Sequence, residues 1–311
     1  MTRTPGYSSP TPPSRRVAPL EIPAVQSGDS LRFPLSREQL QERVREALIE
    51  DGAFNDITTI ATVRSDRRAH ARLVSRETGV VAGIPLALEA FRQLDPKGAV
   101  RVDAEDGTHV KKGDVILAIN GHARGMLSAE RVALNFLQRL SGIATLASRF
   151  VEAVHGTSAA ILDTRKTTPG WRSLEKYAVR AGGGRNHRLD LAASVLIKDN
   201  HLAAVDGSVA IAVQRAREIA PANAAIEVEC ESIAQVTDAI AAGAHIILLD
   251  NMPVELMARC VALVGGRAKT EASGGIALQN VRSIALTGVD FISVGALTHS
   301  APAMNMALDF E

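Results

Sequence analysis

The chain has 311 residues, enough for one large domain or a medium domain plus a smaller one. Apolar residues make up 46% and aromatics 3%, so the core is drawn from Ala, Val, Leu and Ile, which favours α/β layers over an aromatic-rich β-sandwich. A formal charge of +1 leaves no electrostatic footprint for nucleic acid, and no apolar run reaches the roughly 18 residues that cross a bilayer.

Residues 1–35 are predicted to be a disordered tail: the first thirty are rich in Pro, Ser and Arg, without the apolar stretch of a signal peptide. Order is expected from Ser36, where Ser36-Arg37-Glu38-Gln39 forms a capping box. Leu40, Val44, Ala47 and Leu48 then recur at helical spacing until Gly52. Strands are predicted around Ala69–Ser75, Gly79–Ile84, Ala99–Ala104 and Val115–Asn120, with a helix over Pro85–Leu94 and a hairpin turn at Lys111-Lys112-Gly113-Asp114. This small α+β unit has a mostly antiparallel sheet and no residue that looks catalytic. His70, His109 and His122 lack ligand spacing and read as structural.

From Ser128 two helices are predicted, SAERVALNFLQRL and IATLASRFVEAVHG. Apolar strand runs follow at Ala160–Leu162, Val195–Ile197, Ala225–Val228, Ile246–Leu249, Lys269–Ala272 and Phe291–Val294. Amphipathic helices fall between most of them, at Val209–Ile219, Ile233–Ala241, Val254–Val264 and Leu278–Leu286. Strands alternating with helices imply βαβ units, a parallel sheet and an α/β barrel of six to seven strands. Cys230 and Cys260 have no C-x-x-C spacing, which argues against structural zinc or a disulfide framework and for a reducing cytoplasm. Cys230 reads as a small buried hydrophobe.

In a parallel barrel all strand ends meet at one rim. Asp163-Thr164-Arg165-Lys166, Lys198-Asp199-Asn200-His201, Glu229, Asp250-Asn251, Glu271-Ala272-Ser273-Gly274-Gly275 and Gly295-Ala296 are those ends. Asp163–Lys198 also concentrates Arg165, Lys166, Arg172, Lys176, Arg180, Arg185, His187, Arg188 and Lys198 around Gly182-Gly183-Gly184. Such a cluster is a solvated face or a polyanion pocket, and the glycines, which let backbone approach a ligand, favour the pocket. Ser273-Gly274-Gly275 and Val294-Gly295-Ala296 follow the last two strands and precede helices, which suits a phosphate cradle. The arginines suit carboxylates. Glu229 and Asp250 are either general acid and base or ligands for Mg²⁺ and sugar hydroxyls, and oxygen donors beside phosphate loops favour magnesium.

ERVALNFLQRLSGIAT, DTRKTTPGWRSLEKYAVRAGGGRNHRLDL, IKDNH, IEVE, LLDN, ASGGI and SVGALTHS, in this order, resemble quinolinate phosphoribosyltransferase from about Leu40 onward. The resemblance implies an N-terminal α/β sandwich (36–133, rejoined by 300–311) and an incomplete α/β barrel (134–299). It implies transfer of phosphoribosyl from phosphoribosyl pyrophosphate to quinolinate, giving nicotinate mononucleotide, CO₂ and pyrophosphate in de novo NAD biosynthesis. Arg165, His187, Arg188 and Lys198 would hold the two quinolinate carboxylates, with Thr164 beside them. Arg131 would reach in from the partner of a homodimer, and Lys166 would contact the phosphoribosyl donor. Glu229 and Asp250 would bind ribose hydroxyls and Mg²⁺. Ser273, Gly274, Gly275, Val294, Gly295 and Ala296 would cradle the 5-phosphate. The proton donor after decarboxylation is left between Lys166 and water. The rivals are a nicotinate phosphoribosyltransferase or a molybdate-linked paralogue on the same fold, and a catalytically silent phosphosugar sensor.

Overall fold

The computed structural model describes residues 31–221 and 224–311; most of the predicted tail, residues 1–30, lies outside them. Residues 31–35, assigned to that tail from the sequence, are packed instead. The Phe33 ring meets Tyr177 edge to face with centroids 5.2 Å apart, and Arg180 donates to the Arg32 carbonyl at 3.0 Å. Packing the half-buried Phe33 ring on the buried Tyr177 outweighs the low-complexity composition upstream.

The capping box forms as expected. Ser36 Oγ accepts from the Gln39 amide at 3.3 Å, Gln39 Oε1 accepts from the Ser36 amide at 2.9 Å, and the helix runs over Arg37–Glu50. An antiparallel sheet follows, ordered Met306–Phe310, Arg68–Ser75, Val115–His122, Ala99–Val102. The Gly79–Val80 run pairs only with His109–Val110, and the chain turns into helix Ile84–Leu94. Asp114 donates its amide to the Lys111 carbonyl at 3.1 Å, so the predicted turn exists, but its flanking strands belong to different sheets and it closes no hairpin.

One helix of 31 residues, Ala123–Ala153, replaces the two helices predicted there. Ser141-Gly142 reads as a break in the pattern, yet both residues serve packing. Ser141 Oγ accepts from the Ala82 amide at 2.9 Å, and a Cβ on Gly142 would lie 2.0 Å from the Pro302 carbonyl oxygen. The boundary expected at 133/134 therefore falls inside a continuous helix.

Six parallel strands form the second sheet, in the order Ala160–Leu162, Phe291–Ser293, Lys269–Ser273, Ile246–Asp250, Ile226–Cys230, Val195–Ile197. The first strand pairs with the last and not with the second, so the barrel stays open between Leu162 and Val195. Gly184–Arg188 occupies that seam: Arg185 bridges Leu162 in parallel, exchanging bonds with Ile161 and Asp163 at 2.8 and 3.1 Å, and Arg188 Nη1 donates to the Ser194 carbonyl at 2.8 Å. The Gly182-Gly183-Gly184 run serves packing rather than ligand approach. A Cβ on Gly182 would lie 2.1 Å from the Ala144 carbonyl oxygen of the long helix. Gly182→Ala is expected to destabilise the protein by about 1–3 kcal/mol through this overlap, read as a lower urea midpoint at unchanged slope.

Candidate active site

The barrel mouth is a cavity of about 570 Å³ lined by Thr164, Arg165, Lys166, His187, Arg188, Lys198, Glu229, Asp250, Ser273, Gly274 and Gly275, among others. Side chains alternate along a strand. Lys198, Glu229, Asp250 and Ser273 face inward at the tops of their strands, with Leu196, Leu248 and Glu271 two residues below on the same faces.

The cationic cluster divides. Arg165, Lys166, His187, Arg188 and Lys198 reach the mouth. The others hold the fold. Arg172 donates to Thr167 Oγ1 at 3.0 Å and to the Leu189 carbonyl, Arg180 stacks over Tyr177, and Arg185 is in the seam. Lys176 is buried against Asp163 and donates to the His187 carbonyl at 3.0 Å. Asp163, fully buried, also accepts from the His187 amide at 2.9 Å and from the Asn186 side chain. Burial pushes the Asp163 carboxyl up and the Lys176 ammonium down, and their mutual contact opposes both shifts. Asp163 is thus an internal anchor for the 186–188 segment, not the rim residue its place at a strand end suggested. Glu175 anchors the preceding loop, accepting from the Thr168 amide at 3.0 Å and from Arg139 at 2.7 Å.

At the mouth the Nε atoms of Arg165 and Arg188 are buried with no hydrogen-bond partner among the described residues. Buried donors without partners are costly, and these two, unlike the equally unpartnered Arg180 Nε, belong to side chains that line a cavity able to take an anion. Lys198 Nζ lies 2.7 Å from Glu229 Oε2. Asp250 accepts from Asn251 Nδ2 at 2.6 Å, and Asn251 takes a left-handed φ of 52°. Gly274 and Gly275 have φ of 88° and 61°, and a Cβ on Gly274 would lie 2.2 Å from Asn251 Oδ1, so only glycine fits between these two strand ends. The helix after this loop is shorter than predicted, Val281–Ala285, and begins six residues beyond Gly275, so the Ser-Gly-Gly turn does not open a helix. Gly295 caps the short helix Ala296–His299, and its Cα side faces the Lys166 stem, 3.1 Å from where a Cβ would stand. Val294, Gly295 and Ala296 do not line the mouth, and only Gly295 backs one of its walls, the Lys166 stem. Arg131 is exposed on the long helix and lines no part of it.

Glu229 and Asp250 supply two carboxylates to one mouth, a donor set that suits a hard cation able to share its shell with phosphate oxygens and water. Among the described residues the tightest grouping of metal-type side chains is a different one: His187, Glu227 and Glu271, with ligand atoms within 4.8 Å of one another. Glu227 and Glu271 are 2% and 1% exposed inside the barrel, and burial pushes them up to about 7 and about 8. Glu227 escaped the sequence reading. An acid at an inward position of an otherwise apolar strand, IEVEC, was its signal. Cys230 is buried, with a thiol pushed up by burial to about 12, as suits a core hydrophobe.

An open parallel α/β barrel with a cationic mouth, two carboxylates and paired glycine turns is the class that fold and site define. The chain belongs to the quinolinate phosphoribosyltransferase family: residues 56–141 match the "Quinolinate phosphoribosyl transferase, N-terminal domain" and residues 143–309 the "C-terminal domain". It is 42% identical over 271 residues, 87% of this chain and 93% of the relative, to the probable nicotinate-nucleotide pyrophosphorylase [carboxylating] of Bacillus subtilis. It is 45% identical to the nicotinate-nucleotide pyrophosphorylase [carboxylating] of Mycobacterium leprae, over 86% of this chain and 96% of that one. The solved nicotinate-nucleotide pyrophosphorylase of Francisella tularensis superposes with a TM-score of 0.84 at 38% identity, covering 90% and 99% of the two chains. No described helix is long and apolar enough to cross a membrane.

Proposed function

We propose that this chain transfers the phosphoribosyl group of phosphoribosyl pyrophosphate to the ring nitrogen of quinolinate, releasing pyrophosphate and CO₂ and leaving nicotinate mononucleotide. Family membership supports the reaction, and the two unpartnered buried guanidinium Nε atoms beside Lys198 carry its assignment to this mouth. Arg165, His187, Arg188 and Lys198 grip the two carboxylates, with Thr164 beside them. Glu229 and Asp250 take the ribose hydroxyls. The Ser273-Gly274-Gly275 and Val294-Gly295-Ala296 turns cradle the 5-phosphate, and Lys166, whose stem lies along Gly295, reaches the donor.

The pyridine nitrogen is itself the nucleophile, so no base is needed to activate it. What the chain supplies is positioning of two anions and a charged surround for a cationic sugar centre. Mg²⁺ bound at Glu229 and Asp250 would neutralise charge on the departing pyrophosphate. Ribosylation leaves a pyridinium, whose charge stabilises the electron pair released when the adjacent carboxylate departs.

Arg131, exposed on the long helix, is assigned to the mouth of a second copy, making the enzyme a homodimer. The two free, buried cysteines fit a cytoplasmic enzyme. Incubation with quinolinate, phosphoribosyl pyrophosphate and Mg²⁺ is expected to release pyrophosphate and nicotinate mononucleotide in equal amounts, and chelation of the metal to stop it. Absence of both products would overturn the reading, and full turnover under chelation would remove the metal from it.

A further inference from the structure

Below the mouth, toward the N-terminal ends of the strands, lies a second, half-open cavity of about 260 Å³. His187, Arg188 and Glu271 line both spaces and form the partition between them. His187 Nδ1 accepts the Arg188 amide at 2.8 Å, so the neutral ring carries its proton on Nε2. That nitrogen faces 3.3 Å from Glu227 Oε2 and 3.6 Å from Glu271 Oε1. Nδ1 is thus taken by the Arg188 amide, while Nε2–H makes no hydrogen bond among the described residues and remains a donor at the partition.

We propose that Glu271, held between His187 and Ser293 in this partition, returns the proton to the ring carbon from which the carboxylate departs. This rests on the reaction proposed above. Glu271 lines the mouth and lies at its floor, one layer below Ser273. The other groups there are poor donors. Guanidiniums do not release protons near neutrality. Lys198 is held by Glu229, and Lys166 is exposed along Gly295. Glu271 faces Glu227 from the third barrel strand, His187 and Arg188 from the seam, Asp163 with its partner Lys176 behind the first strand, the Ser293 hydroxyl from the last strand, and apolar Leu248 from the fourth. No cation touches its carboxyl, and burial beside Glu227 keeps it protonated through neutral pH.

The step balances. The bond from the ring to the departing carboxyl carbon breaks, CO₂ leaves, and the electron pair stays on the ring carbon next to the pyridinium nitrogen. That pair takes the proton of Glu271. The resulting carboxylate faces the His187 Nε2–H and the Ser293 hydroxyl, and solvent restores its proton. A cation held by His187, Glu227 and Glu271 is the competing use of the same side chains, and the metal content of the purified protein distinguishes the two.

The test is the single-turnover rate of nicotinate mononucleotide formation against pH. Wild type is expected to slow as pH rises through about 8, because the donor is then ionised. Glu271→Gln should cut the rate about 100-fold at neutral pH, with quinolinate affinity within about threefold, and should lose that alkaline limb. Ser293→Ala removes a hydrogen bond that favours the ionised carboxyl, so it should keep the limb but move it to higher pH. A Glu271→Gln rate within threefold of wild type, an alkaline limb unmoved in Ser293→Ala, or one equivalent of tightly bound transition metal in the purified protein would each overturn the proposal. If Glu271→Gln does not fold, the Ser293→Ala profile decides. Failure of the wild type to make the product would sink the reaction itself instead.

Discussion

Quinolinate is expected to exceed nicotinate by roughly 10⁴ in kcat/KM, because a site built around paired charges rejects an analogue lacking one of them. The cause is local. Arg165 and Arg188 each bring a buried Nε without a protein partner to the mouth, and nicotinate has one carboxylate where quinolinate has two. One guanidinium would stay desolvated and unpaired in the nicotinate complex. Arg188→Ala should therefore lower kcat/KM for quinolinate by about 10²–10³ while moving nicotinate far less, so the ratio between the substrates collapses. Competition between the two substrates in one assay measures both numbers. Comparable turnover of the two by the wild type would show that the guanidiniums grip something other than a second carboxylate.

The second large effect is expected at Lys176, which never meets substrate. Its ammonium is buried against Asp163, which in turn fixes the His187 amide and the Asn186 side chain. Lys176→Met leaves an uncompensated carboxylate in the interior and should cost about 3–5 kcal/mol of stability. Urea unfolding followed by tryptophan fluorescence reads this, since Trp171 stacks on Phe136 next to the affected helix. Adding Asp163→Asn to Lys176→Met should recover part of the loss, because the unpaired charge is then gone. A Lys176→Met protein as stable as wild type would mean that the pair contributes nothing to holding the 186–188 segment.

Periodicity carried the barrel: alternating apolar runs and amphipathic helices put all six parallel strands at or within two residues of their observed positions. Chemistry at the strand tops was also legible, since polar side chains interrupting apolar runs at a common depth are conspicuous. Long-range contacts were not. Nothing local says that Ala160–Leu162 pairs with Phe291–Ser293 rather than with the following strand, or that Gly184–Arg188 fills the seam left open. Small residues misled for one physical reason. In sequence Ser141-Gly142 and Gly182–Gly184 look like breaks or ligand contacts, whereas a glycine pressed against a distant carbonyl has the same letter. The cationic cluster misled similarly, because Lys176 and Arg172 are spent on internal partners that lie several residues away. Acids inside the barrel are the remaining gap: Glu271 was read as part of the rim and Glu227 not at all, although inward parity on an apolar strand distinguishes both.

Strand Met306–Phe310 completes the antiparallel sheet by pairing with Arg68–Ser75, in register from Ala71↔Phe310 to Ser75↔Met306. During synthesis that sheet must wait, one edge unsatisfied, until the entire barrel has left the ribosome. A nascent chain stalled before Met306 presents a bare β-edge to its neighbours, a setting for misassociation. Closure of the first sheet by the last strand also makes the two sheets a single folding commitment rather than two successive ones, with slow, long-range pairing as the final event.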